Sequence, residues 1–111
     1  PCGFSSLAAT REWLQSDMAK AFTRAYTKTR IYMNEAPAAQ IASAEKEYFP
    51  SIDESVLENC IATYQKLGCW TPHIEISRPA YEVTLDVFEY EGSLKERYAW
   101  DQVCCDPPAT D

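Results

Sequence analysis

Glycine is scarce in this chain, 3 of 111 residues. That excludes a glycine-rich phosphate loop and a strand-to-helix nucleophile elbow, both of which need glycine where the backbone bends sharply or meets a ligand. Histidine occurs once, at His73, so no paired-histidine metal spacing exists. Long apolar runs are missing, and with them any transmembrane span. The opening Pro-Cys-Gly-Phe-Ser-Ser-Leu has no basic region followed by a long apolar stretch, so no signal peptide is visible. Positive charge is also short: 10 Lys and Arg face 17 Asp and Glu, a net charge of −7. Neutralising a phosphate backbone or an anionic membrane needs a concentrated excess of Lys and Arg, so nucleic acid is not an expected partner.

What is present is a single-domain length with 46% apolar residues and three tryptophans, the composition of a folded core. Residues 1–105 are expected to form one domain and 106–111 an irregular tail. The charge is uneven. Residues 1–30 carry Arg11, Lys20, Arg24, Lys28 and Arg30 against Glu12 and Asp17, whereas the rest carries five basic residues against fifteen acidic ones. Lys20, Arg24 and Lys28 fall on one helical stripe, expected to be a solvated face.

The apolar spacing is mostly helical. Residues 4–10 can form a short extended segment, and Thr10 can cap a brief turn, 11–15, carrying Trp13. A helix follows from Ser16 or Asp17 to Met33, with Met18, Phe22, Ala25, Tyr26, Thr29 and Met33 as its buried face. Asn34-Glu-Ala-Pro37 breaks it, and a second, alanine-rich helix spans 37–48. Ser51 and Glu54 have capping-box spacing, with Asp53 as a rival cap, before a helix in which Val56, Leu57, Cys60, Ile61, Tyr64 and Leu67 recur at helical intervals. Cys60 is therefore expected to be buried. Gly68 is placed to stop that helix in a left-handed conformation. Residues 81–90 alternate like a strand, yet Ser77, Pro79 and Gly92 mark helix ends, and pattern alone leaves the two open. The expected fold is mainly α, a bundle-like module of four to five helices with room for one short N-terminal strand.

Reactive groups form no strong motif. The cysteines (Cys2, Cys60, Cys69, Cys104, Cys105) are odd in number, and the vicinal pair 104–105 is poorly placed to bridge within itself, so free thiols are expected. A zinc site from Cys60, Cys69 and His73 lacks a fourth ligand and a usual spacing. A Cys69–His73 nucleophile pair lacks a third group to orient the histidine. No cofactor, metal or catalytic residue is assigned, and the chain is not expected to be an enzyme.

Taken in order, the runs SSLAATREWLQ, AFTRAYTKTRIYMNEAPAAQIA, YFPSIDESVLENCIATYQKLGCW and YEVTLDVFEYEGSLKERYAWDQV resemble the C-terminal part of bacterial ABC-importer solute-binding proteins. The branch resembled is that of the nitrate, sulfonate, taurine and thiamine-precursor type, whose superfamily includes the thiamine pyrimidine synthases. The resemblance implies a fragment of a type II periplasmic-binding-protein fold, in which these helices pack on the sheet of the first lobe, and it turns residues 81–90 towards helix. It also implies a periplasmic setting and a small organic solute. The family's N-terminal part, which supplies most of the sheet and ligand contacts, is not in these 111 residues. Nor does Cys104-Cys105 match the cysteine-rich motif of the synthase branch.

Two functions follow as expectations. One is a solute-binding module with most of the cleft missing, in which Gly3, Phe4, Ser5, Trp70, Tyr98 and Trp100 line what pocket remains. The other is a homo-oligomeric interaction module, most simply a dimer, that buries Trp13, Phe22, Tyr26, Phe49, Ile61 and Trp70 against a second copy.

Overall fold

The computed structural model describes Gly3 and residues 5–110. It is mainly helical, with no strand among the described residues. The order is α1 (Arg11–Leu14), α2 (Asp17–Glu35), α3 (Ala38–Glu45), a 3₁₀ turn (Lys46–Tyr48), α4 (Glu54–Leu67), α5 (Arg78–Glu91) and α6 (Trp100–Val103). The extended segment expected over 4–10 is irregular where it is described: Ser5 is a bend and Ser6–Thr10 pair with no strand. Phe4 lies outside the described residues. The chain forms two compact units, one of Pro1–Thr23 with Glu75–Asp111 and one of Arg24–Ile74.

Most helix ends are made by the residues best suited to them. Thr10 Oγ1 accepts the Trp13 amide at 3.1 Å and starts α1. The Ser16 hydroxyl donates to the Trp13 carbonyl at 2.6 Å and accepts the Ala19 amide at 3.1 Å, joining α1 to α2. Such a bond satisfies one of the amides that a helix start leaves without a partner. Pro37 precedes α3, where its missing amide costs nothing. Asp53 stands at the cap of α4, but through its backbone carbonyl alone; no side chain caps this helix, so neither the Ser51 box nor the Asp53 carboxylate does what the spacing suggested. Ser77 caps α5 with its hydroxyl on the Ala80 amide. Residues 81–90 are thus helical: local caps outweigh the alternation of apolar and polar residues. Gly68 (φ 66°) and Gly92 (φ 87°) end α4 and α5 in the left-handed region, and the amides of Cys69 and Ser93 bond back to the Tyr64 and Phe88 carbonyls.

In the second unit, Ile41 and Ala42 of α3 meet Leu57 and Ile61 of α4 as the core, with Met33, Ala36, Ala38 and Trp70 packed around it. The Gln65 amide donates to the carbonyls of Met33 and Ala36 at 2.9 Å each, pinning the α2–α3 break to α4. Trp70 meets Tyr64 edge to face at 5.3 Å between ring centroids. Arg30 holds the stretch after it, donating from Nε to the Thr71 carbonyl at 3.0 Å. The Lys46 ammonium donates to the carbonyls of Phe49, Pro50 and Ile52, closing the turn into α4.

Two expectations about burial are corrected. Cys60 is exposed, because the inward face of α4 is set by Leu57 and Ile61 and Cys60 points off that face. On α2 the buried residues are Ala19 and Thr23, whereas Met18 is 67% exposed and Phe22 is 44% exposed. The stripe is one position round from the one that the large apolar residues mark out. Small side chains allow close approach, and the Thr23 hydroxyl is satisfied by the Ala19 carbonyl at 2.8 Å, so its burial leaves no unmet polar group.

Ile61, 4% exposed, and its exposed neighbour Cys60 give a direct check on this assignment. Ile61→Ala is expected to lower unfolding free energy by about 2–4 kcal/mol, and Cys60→Ala by less than about 0.5 kcal/mol, both measured by urea denaturation.

Candidate functional site

The first unit contains a groove of about 360 Å³ built on one face of α5. Tyr81, Thr84, Leu85 and Phe88 recur along the helix at three and four residues and supply one wall. The segment after Gly92 returns past this face and contributes Leu94, Glu96 and Tyr98, and Gly3 lies at the other side.

Long-range hydrogen bonds hold these pieces in place. The Tyr81 hydroxyl donates to the Tyr98 carbonyl at 2.7 Å. The Gly3 amide donates to Thr84 Oγ1 at 3.0 Å, and the Thr84 hydroxyl donates in turn to the Ala80 carbonyl at 2.9 Å. The Tyr98 hydroxyl donates to Glu96 Oε2 at 3.0 Å. Arg97 brackets the outer side of the same return, reaching Glu82 and Asp86 at 2.7 Å and Glu89 at 2.8 Å. These three carboxylates raise the guanidinium pKa above its already high ordinary value. Trp100 anchors the end of the return: its indole N–H donates to the Ile76 carbonyl at 2.7 Å, and the Arg78 guanidinium lies 4.8 Å from its ring centroid.

Burial raises the Tyr81 hydroxyl above its ordinary value of 10.0, with smaller contributions from Cys104 and Glu82, opposed by Arg97. Burial, then the neighbouring Cys105 thiol, raises Cys104 above 9.0. Both groups are therefore neutral at pH 7, and neither is activated as a nucleophile, which would need a lowered pKa.

Of the residues expected to line a pocket, Gly3 and Tyr98 meet in this groove. Ser5 is exposed, and Phe4 is outside the described residues. Trp100 is in the same unit but its indole is committed to Ile76, and Trp70 packs in the core of the second unit. Among the residues expected at an interface, Trp13 and Phe22 pair edge to face at 6.0 Å and remain partly exposed. Phe49 is 43% exposed, Tyr26 lies under Arg30 at 5.9 Å, and Ile61 is core rather than surface. Among the described residues, no three His, Cys, Asp or Glu side chains come together as a metal site. Cys69 and His73 fall in the connector after Gly68, where the Thr71 hydroxyl donates to the His73 carbonyl at 3.0 Å.

Over 102 residues, 90% of its length, the chain is 24% identical to the "Putative binding protein YtlA" of Bacillus subtilis (strain 168), and it spans 30% of that protein. No protein-family profile and no solved structure matches the chain. No described helix is long and apolar enough to cross a membrane.

Thr84, Glu96 and Cys104, the last of which also lines the groove, were not among the residues expected there. A threonine inside a helical apolar face was the available signal, since burial of its hydroxyl requires a partner.

The raised values of Tyr81 and Cys104 fix a pH dependence. A raised acid favours the protonated form in the fold, so its stabilising contribution is complete below 9.0 for Cys104 and 10.0 for Tyr81 and is lost as pH rises through the higher folded values. Urea midpoints are expected to stay level from pH 6 to 8 on this account and to fall above about pH 9. Tyr81→Phe should cost about 1 kcal/mol at neutral pH by removing the bond to Tyr98, and it should shrink the alkaline fall.

Proposed function

We infer that the chain is a non-enzymatic, solute-binding module related to the substrate-binding proteins of ABC importers, carrying only part of the ligand cleft of such a protein. The observation that carries this reading is the similarity to a binding protein over 90% of the chain. The mainly helical structure of the described residues is compatible with the helical first-lobe region of that family, and the neutral Tyr81 and Cys104 offer no activated nucleophile. A small solute suits the groove, since ligand pockets run from about 300 to 1,000 Å³ and this one is at the lower end.

A thermal-shift screen of the chain against small sulfonates, pyrimidines and amines tests this reading. Ligand at about 100 times its Kd stabilises by about 2.7 kcal/mol, which should appear as a rise of several degrees. Silence across all three classes would remove the solute-binding role.

A second reading rests on a separate observation. Trp13, Met18 and Phe22 in the first unit, and Val56, Tyr64 and Leu67 in the second, expose large apolar surface that a partner copy could cover. Self-association as a homodimer would then be the function of these faces. Sedimentation velocity at micromolar concentration should show a dimer, and Phe22→Asp with Met18→Asp should return a monomer. A stable monomer that binds no hydrophobic dye would rule it out.

A further inference from the structure

We propose that the groove on α5 binds a small organic ammonium ion, with the aromatic side chains around its alkyl groups and Glu96 as the counter-charge. The inference rests on the solute-binding reading and names the class of solute.

The first support is the set of side chains. Three rings line one small groove, Tyr81, Phe88 and Tyr98, together with the carboxylate of Glu96 and no Lys or Arg. Aromatic rings attract cations through their quadrupole, most strongly where water is displaced. An alkylated ammonium also has an apolar body that suits Leu85 and Leu94.

The second support is the direction of the hydrogen bonds. Three of the four hydroxyl groups that line the groove already have their protons committed. Tyr81 donates to Tyr98, Thr84 donates to Ala80, and Tyr98 donates to Glu96. What the Tyr81 and Tyr98 oxygens can still offer is lone pairs, which welcome a donor or a cation and repel an anion. Ser6 at the edge adds a further hydroxyl, but one donor does not make an anion site.

The third support is charge. The Glu96 carboxylate is held by the Tyr98 hydroxyl alone, and among the described residues no cationic side chain pairs with it. The adjacent guanidinium of Arg97 is taken by Glu82, Asp86 and Glu89. A bound anion would meet an unneutralised carboxylate, whereas a neutral apolar molecule would leave it unanswered. The net charge of −7 adds a general attraction for cations. The thiol of Cys104, held neutral by burial, neither competes for the cation nor neutralises Glu96.

Isothermal titration of the full chain tests this with choline, its uncharged isostere 3,3-dimethylbutan-1-ol, 2-hydroxyethanesulfonate and a hydroxymethylpyrimidine. Choline is expected to bind about fivefold more tightly than the isostere, as a cation over partly exposed aromatic rings implies. Glu96→Gln keeps the acceptor for Tyr98 while removing the charge. It should weaken choline about tenfold and leave the isostere unchanged. Phe88→Leu, which removes one of the rings, should weaken choline more than the isostere. The inference fails if choline binds no better than its isostere or if both variants bind it like the parent. Binding of the sulfonate or pyrimidine without binding of choline also overturns it, but leaves the solute-binding reading standing. No binding of any of the four overturns both.

Discussion

The hydrogen bond from the Tyr81 hydroxyl to the Tyr98 carbonyl is the constraint on which the first unit depends. It joins the inward face of α5 to a segment that leaves the helix at Gly92 and would otherwise be free to depart from it. Arg97 fixes the neighbouring residue from the outside through three carboxylates spaced along α5, and Trp100 fixes the end through Ile76. The groove is what lies between the helix and the returning chain. Its shape is therefore set by the polar bonds that hold the returning chain as well as by the apolar side chains that line it.

Helix ends were legible in the sequence because they are local. Thr10, Ser77, Gly68 and Gly92 act within four residues of themselves, and the structure uses each as its chemistry suggests. The buried stripe of α2 was less legible, since ranking by size favours Met18 and Phe22, while close packing selects Ala19 and Thr23. For Cys60, apolar character and spacing were satisfied by a position beside the core rather than in it. The groove was the least legible part. Its defining bonds join residues as far apart as Gly3 and Thr84, and its character depends on which way each hydroxyl proton points. Neither is a property of a short window of sequence.

The acidic part of the chain uses its few cations as brackets. Of the five basic residues after Arg30, Lys46 holds three carbonyls, Arg78 stacks on Trp100 and Arg97 gathers three carboxylates. Each is committed to a loop or a helix junction. Fifteen acidic residues share those five cations, so the net negative charge of the composition becomes a property of the exposed face, where it acts on what approaches.

The two glycine stops carry a consequence of a different kind. At both Gly68 and Gly92 a Cβ would meet nothing within 4 Å, yet the backbone sits at a positive φ that L-residues disfavour. Tolerance at these positions is governed by torsion and not by volume. An alanine would be penalised by the torsion alone, while asparagine, whose short amide eases the left-handed state, would be penalised less. These sites read the chirality of the residue at its first side-chain atom.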